Sequence, residues 1–98
     1  MELSEKQIQQ QIEDYLRASG WFVWRSPHIP RKPGHNYQGT TGEPDVKAVR
    51  KREFVMIEVK RPGGKATAQQ LMFMKRINGE GFKAFVAQSV EEVMEVCK

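Results

Sequence analysis

Residues 53 to 87 read as strand, helix, strand: an apolar run from Glu53 to Lys60, a helix opening at Thr67 with Leu71, Met74 and Ile77 at helical spacing and ending at Gly79 or Gly81, and a second run from Phe82 to Ala87. A helix between two strands carries the chain back to the same end of the sheet, so the strands lie parallel and the crossover is right-handed. That unit excludes an all-helical or all-β domain. Upstream, Ser4 and Gln7 match a capping box ahead of Ile8, Ile12, Tyr15 and Leu16, with Gly20 as the stop. Trp21 to Arg25 is a first strand, and Val46 to Val49 a second, which turns through Arg50-Lys51-Arg52 into the third. Ser89 and Glu92 open a final helix through Val90, Val93, Met94 and Cys97. The order is αβββαβα, an α/β fold in which the first three strands form an antiparallel meander within a mixed sheet flanked by helices.

Ninety-eight residues suffice for one domain with one core. The stretch at about 27–44, rich in Pro, Gly, His, Thr and Asn, reads as a long basic functional loop within that domain. Nothing is apolar for long enough to cross a bilayer, and the polar start lacks a signal-peptide core. One cysteine, Cys97, allows no internal disulfide, so a cytoplasmic setting is expected. The net charge of +4 favours a polyanionic partner but also suits many small basic domains.

Alternation in the third strand puts Val55, Ile57 and Val59 on one face and Met56, Glu58 and Lys60 on the other. Asp45, straight after Pro44, stands at the head of the neighbouring strand. Two carboxylates are hard oxygen ligands of the kind Mg²⁺ and Mn²⁺ take, and a lysine beside them can stabilise charge on a phosphate under attack. Without a metal the two acids should raise one another's pKa. The plainer alternative is a strand end whose charges reach water, with Asp45 as a turn residue.

The run Gly42-Glu43-Pro44-Asp45, then Ile57-Glu58-Val59-Lys60, then Gly64-Lys65 and Gln70, resembles the signature of the VRR-NUC (virus-type replication-repair nuclease) family of the PD-(D/E)xK superfamily. The likeness covers nearly the whole chain, as in a stand-alone phage-type member. It implies a restriction-endonuclease-like core and a Mg²⁺- or Mn²⁺-dependent endonuclease acting on branched DNA in replication and repair, in the host cytoplasm if phage-encoded. Asp45 and Glu58 would hold metal with the Val59 backbone carbonyl, and Lys60 would orient water and stabilise charge.

The resemblance also implies a metal-holding glutamate on the first helix. One helix must cover part of the Glu58 face, and the first is the nominee: Glu5 falls between Ile12 and Leu16 on its apolar stripe, where a carboxylate needs a partner. The alternative for Glu5 is a first-turn acid favoured by the helix dipole. Glu13 is the runner-up, placed off the stripe and expected to be solvated. Gln70 is matched to a glutamine that reaches the site, yet Thr67-x-x-Gln70 is also a capping box.

DNA contacts are expected from Arg25, Arg31, Lys32, Arg61 and Lys65, with Arg50, Lys51 and Arg52 on the same rim and Tyr37 or Trp24 available to stack on a base. At least one tryptophan should be core. His28 and His35 lack the further ligands of a zinc site. The expected substrate is a four-way (Holliday) junction. One site cuts one strand, so symmetric resolution calls for a homodimer. Flap cleavage or nicking is the alternative within enzymes, and a non-catalytic nucleic-acid binding module the alternative outside them.

Overall fold

The computed structural model describes residues 2–25 and 42–98. Helix α1 spans Glu5–Ala18, and its start is the expected capping box: Gln7 N–H donates to Ser4 Oγ at 3.1 Å while Ser4 N–H donates to Gln7 Oε1 at 2.8 Å. Four strands follow the expected order, β1 (Phe22–Arg25), β2 (Val46–Arg50), β3 (Glu53–Val59) and β4 (Lys83–Ala87), with helix α2 (Ala68–Gly79) before β4 and helix α3 (Val90–Val96) after it. Gly81, not Gly79, closes α2. With φ of +94° it lets Phe82 N–H turn back to the Ile77 carbonyl, a geometry that a side chain would strain.

The sheet runs β1-β2-β3-β4, antiparallel across the first two pairings and parallel between β3 and β4. Register pairs Val46 with Ile57 and Arg50 with Glu53, leaving Lys51 and Arg52 as a two-residue turn with φ of +47° and +70°. These pairings put Asp45, Glu58 and Arg25 toward one end of the sheet and the Lys51-Arg52 turn at the other.

Helix packing departs from one expectation. Ile8, Ile12 and Leu16 of α1 are buried with Trp21, Val23, Val46, Ala48, Val55, Ile57, Val59, Ala87, Val93 and Cys97, so α1 and α3 cover the face opposite Glu58. The face that carries Glu58 is covered instead by α2, where Met74 packs with Met56 and Ala84. The period-two apolar set of β2 and β3 is the larger of the two surfaces, and the α1 stripe docks on it. No helix among the described residues is long and apolar enough to cross a membrane.

Candidate active site

Asp45 enters β2 directly after the buried Pro44, and the antiparallel register sets it beside Glu58 of β3. Its Oδ2 accepts the Val59 amide at 3.0 Å, which ties the strand head to the segment between Glu58 and Lys60. Lys60 follows β3, and its Nζ lies 3.4 Å from Glu58 Oε2. The pleat that separates Val59 from its neighbours therefore delivers all three charged side chains to one face, as alternation requires.

Glu58 is only 2% exposed, and its Oε1 has no hydrogen-bond partner. Burial, above all, pushes its carboxyl up to about 8; the negative charge of Asp45 and a hydrogen bond with it push the same way, and Lys60 opposes them incompletely. A buried carboxylate with an idle oxygen, a second carboxylate alongside and too little positive charge is a donor set that suits a divalent cation. Among the described residues there is no group of three or more His, Cys, Asp or Glu side chains that could hold a metal. Two carboxylates are nevertheless a common protein complement for Mg²⁺, which keeps several waters and takes substrate phosphate oxygens.

Gln70 serves the α2 cap: its N–H donates to Thr67 Oγ1 at 3.1 Å, and its Oε1 accepts the Thr67 N–H at 2.8 Å. The cap uses only the amide oxygen, leaving the Nε2 protons outside it. Gly42 explains how the two segments meet. A Cβ there would stand 2.5 Å from the Gln69 carbonyl oxygen and 3.0 Å from the Gln70 nitrogen, so the backbone leading to Asp45 lies against the first turn of α2.

The two glutamates of α1 exchange their expected environments. Glu5 is exposed in the first turn, where its carboxylate reaches water. Glu13 is 1% exposed, and it takes the Arg25 Nε at 2.7 Å, the Gln9 Nε2 at 3.0 Å and, at 3.5 Å, Arg17. Glu13 is thus not solvated; Arg25, arriving from β1 on the α1 face, neutralises it. Glu2, just before the helix, meets Arg61, just after Lys60, at 3.3 Å, but Glu5 itself does not form a three-carboxylate group with Asp45 and Glu58.

The basic residues divide as well. Arg61 and Lys65 are exposed in the turn beyond β3, which is held by a Gln88 Nε2 bond to the Gly64 carbonyl at 3.1 Å. Arg25 keeps about half of its side chain in solvent while bound to Glu13. Arg31 and Lys32, with His28, His35 and Tyr37, lie outside the described residues. Arg50, Lys51 and Arg52 do not join this rim: the hairpin register sends them to the far end, with Arg52 roughly 20 Å along the strand from Glu58. Arg50 has structural partners there, stacking 4.4 Å from the Trp21 ring and donating to the Ser19 carbonyl at 3.0 Å.

Lys47 was not among the expected site residues. It is buried on the same face as Asp45 and paired with Glu43. The two-residue step from Asp45 was the available signal, since it places Lys47 on that face whatever the tertiary packing.

No curated protein matches the chain. A solved structure described as a VRR_NUC domain superposes with a TM-score of 0.74 at 24% identity, covering 94% of this chain and 91% of its own. Another, described as a VRR_NUC domain protein, has a TM-score of 0.74 at 22% identity, covering 98% of this chain and 86% of its own. Both share the mixed-sheet, restriction-endonuclease-like fold. The model of the VRR-NUC domain matches residues 2–91, which include α1, α2 and all four strands. With the acidic pair and lysine gathered at one end of that sheet, the chain belongs to the VRR-NUC domain family and is a nuclease of the PD-(D/E)xK type.

Proposed function

We propose that the chain is a Mg²⁺- or Mn²⁺-dependent endonuclease for branched DNA, with a four-way junction as substrate and a homodimer as the working form. The supporting observation is Glu58, a buried carboxylate with an unpartnered oxygen and a pKa pushed up to about 8 beside Asp45 and Lys60. A module that only held DNA would gain from losing it, because an acid facing a polyanion repels the ligand and burying its charge costs stability.

A bound divalent ion supplies Lewis-acid stabilisation of the phosphoryl oxygens and a water acidic enough to attack at neutral pH. Asp45 and Glu58 would hold it through their carboxylate oxygens, with the Val59 backbone carbonyl as a further donor. Glu5 is the proposed helix ligand, supported by the Glu2–Arg61 contact that brings the start of α1 to this end. Lys60 orients the water and stabilises charge at the phosphate from a position already set by Glu58, so little reorganisation is needed. Gln70 offers its Nε2 to a phosphate oxygen. Arg61 and Lys65 take the backbone on the exit side of β3, with Arg25, Arg31 and Lys32 as further cationic contacts.

One site cuts one strand, so resolving a junction symmetrically needs two sites about a two-fold axis. Light scattering at micromolar concentration should therefore return twice the chain mass; a value of 11.3 kDa would remove the dimer. The activity is tested with labelled duplex, flap and four-way DNA in Mg²⁺, Mn²⁺ or EDTA. Four-way DNA should be cut with metal and left whole in EDTA. Preference for a flap or a single nick would replace the junction assignment, and binding without cutting under either metal would leave a binding module.

A further inference from the structure

On the Glu58 face, α2 covers Met56 and Ala84, and an aromatic row crosses the sheet from β1 to the start of β4, with Phe54 packed against that cluster and both ends in solvent. Phe22 and Trp24 of β1, Phe54 of β3 and Phe82 ahead of β4 form a chain of rings with successive centroids 5.7, 6.2 and 5.8 Å apart. Phe22 is 68% exposed and Phe82 45%, far more than core packing asks of such side chains. We infer that this row is a stacking platform for the bases of an unpaired nucleic-acid strand, continuous with the active site. The inference rests on the nuclease assignment and concerns bases left unpaired at a branch point, not the paired arms of the proposed junction.

Position is the first support. Trp24 pairs with Lys47, which stands two residues along β2 from Asp45, roughly 7 Å of strand. A strand whose phosphate meets Glu58 and Lys60 therefore has Trp24 and Phe54 within the next nucleotides of its path. Charge is the second. Among the described strand residues this face bears acids only at the site itself, Asp45 and Glu58. The acids Glu5, Glu13, Asp14, Glu91, Glu92 and Glu95 belong to α1 and α3, the helices of the opposite face, while Glu43, Glu53 and Glu80 each have a cationic partner in Lys47, Arg50 and Arg76. The aromatic row ends near the basic Lys51-Arg52 turn, whose residues are both exposed and so can meet the far phosphates. Aromatic rings accept any base on their π-faces, while a paired duplex keeps those faces stacked inside its helix.

The chain holds only two tryptophans, and Trp21 is buried against Arg50. Quenching of Trp24 emission therefore reports directly on this face. Oligothymidylate added in EDTA, where no cutting enters the readout, should quench tryptophan emission more strongly than a hairpin duplex with the same number of phosphates. Trp24→Phe should abolish most of the quench and keep most of the affinity. Trp24→Ala and Phe22→Ala should each weaken oligothymidylate binding by roughly 5- to 100-fold, with far smaller losses for duplex. Phe22, being so exposed, can be truncated without emptying the core, and circular dichroism confirms that each variant is folded. Equal oligothymidylate affinity in parent and folded alanine variants overturns the platform, as does equal quenching by duplex. If Trp24→Ala instead splits a dimer and leaves oligothymidylate affinity unchanged, the row is a contact between copies of this chain and the platform is likewise overturned. Quenching that persists in a parent unable to cut any DNA with metal would count against the nuclease assignment alone.

Discussion

The Val59 amide donates to Asp45 Oδ2 at 3.0 Å, so the residue that separates Glu58 from Lys60 is held by the other acid of the site. That hydrogen bond ties the head of β2 to the segment between Glu58 and Lys60. It also holds a negative charge beside Glu58, one of the causes of that group's raised pKa.

Glu58 should make the metal-free protein less stable as pH rises. Its folded pKa of about 8 lies above the ordinary value of 4.5, so between those limits the folded state keeps a proton that the unfolded state releases. Its favourable contribution is complete below about 4.5 and is lost toward about 8, at no more than about 1.4 kcal/mol per pH unit. Urea melts in EDTA should show this decline, Glu58→Gln should flatten it, and Mg²⁺ or Mn²⁺ should stabilise the parent more at pH 8 than at pH 5. A parent profile unchanged by Glu58→Gln would sink the prediction.

Chemistry and binding should separate by residue. Glu58→Ala and Lys60→Ala should each slow single-turnover cleavage on the order of 10²-fold or more. Metal-free DNA affinity should hold or tighten in Glu58→Ala. Arg61→Ala and Lys65→Ala should weaken it and reduce the salt slope by about one unit for each phosphate left unneutralised. Gel-shift titrations across salt, run beside the cleavage assay, read both. Cutting by Glu58→Ala at the parent rate would reduce the Glu58-Val59-Lys60 segment to an ordinary strand end.

Arg25 should matter for stability whatever it does for DNA. Its removal leaves Glu13 buried with only the more distant Arg17 as a cation, and an uncompensated buried charge costs about 3 kcal/mol. Arg25→Ala should lower the urea midpoint accordingly, and Arg25→Ala combined with Glu13→Leu should recover much of the loss. No recovery in the double variant would mean that the ion pair is not the cause.

Gly42→Ala should disturb the site without touching a charged group. Its φ is +89°, and a Cβ would fall 2.5 Å from the Gln69 carbonyl oxygen, so the loop or the first turn of α2 must move. A stability loss of about 1–3 kcal/mol is expected, together with slower cleavage as Asp45 and Gln70 separate. Thermal melts and single-turnover rates measure the two effects.

Much of this molecule follows from short-range rules. Ser4 with Gln7 and Thr67 with Gln70 cap their helices as their spacing demands, and the period-two pleat alone sends Glu58 and Lys60 to one face of β3. The strand-helix-strand succession sets the parallel pairing of β3 with β4. Tertiary structure decided what depends on which surfaces meet. Helical phase puts Glu5 on the apolar stripe of α1 and Glu13 off it, but Arg25 comes across from β1 to make burial of Glu13 tolerable, while Glu5 stays in the solvated first turn. Arg50, Lys51 and Arg52 look in sequence like neighbours of Asp45, yet the strand between them carries their charge to the other end of the sheet. Helical and strand periods are properties of a few adjacent residues, whereas the choice of face for α1, and the partner of a buried acid, are settled only when segments far apart in the chain compete for the same apolar surface.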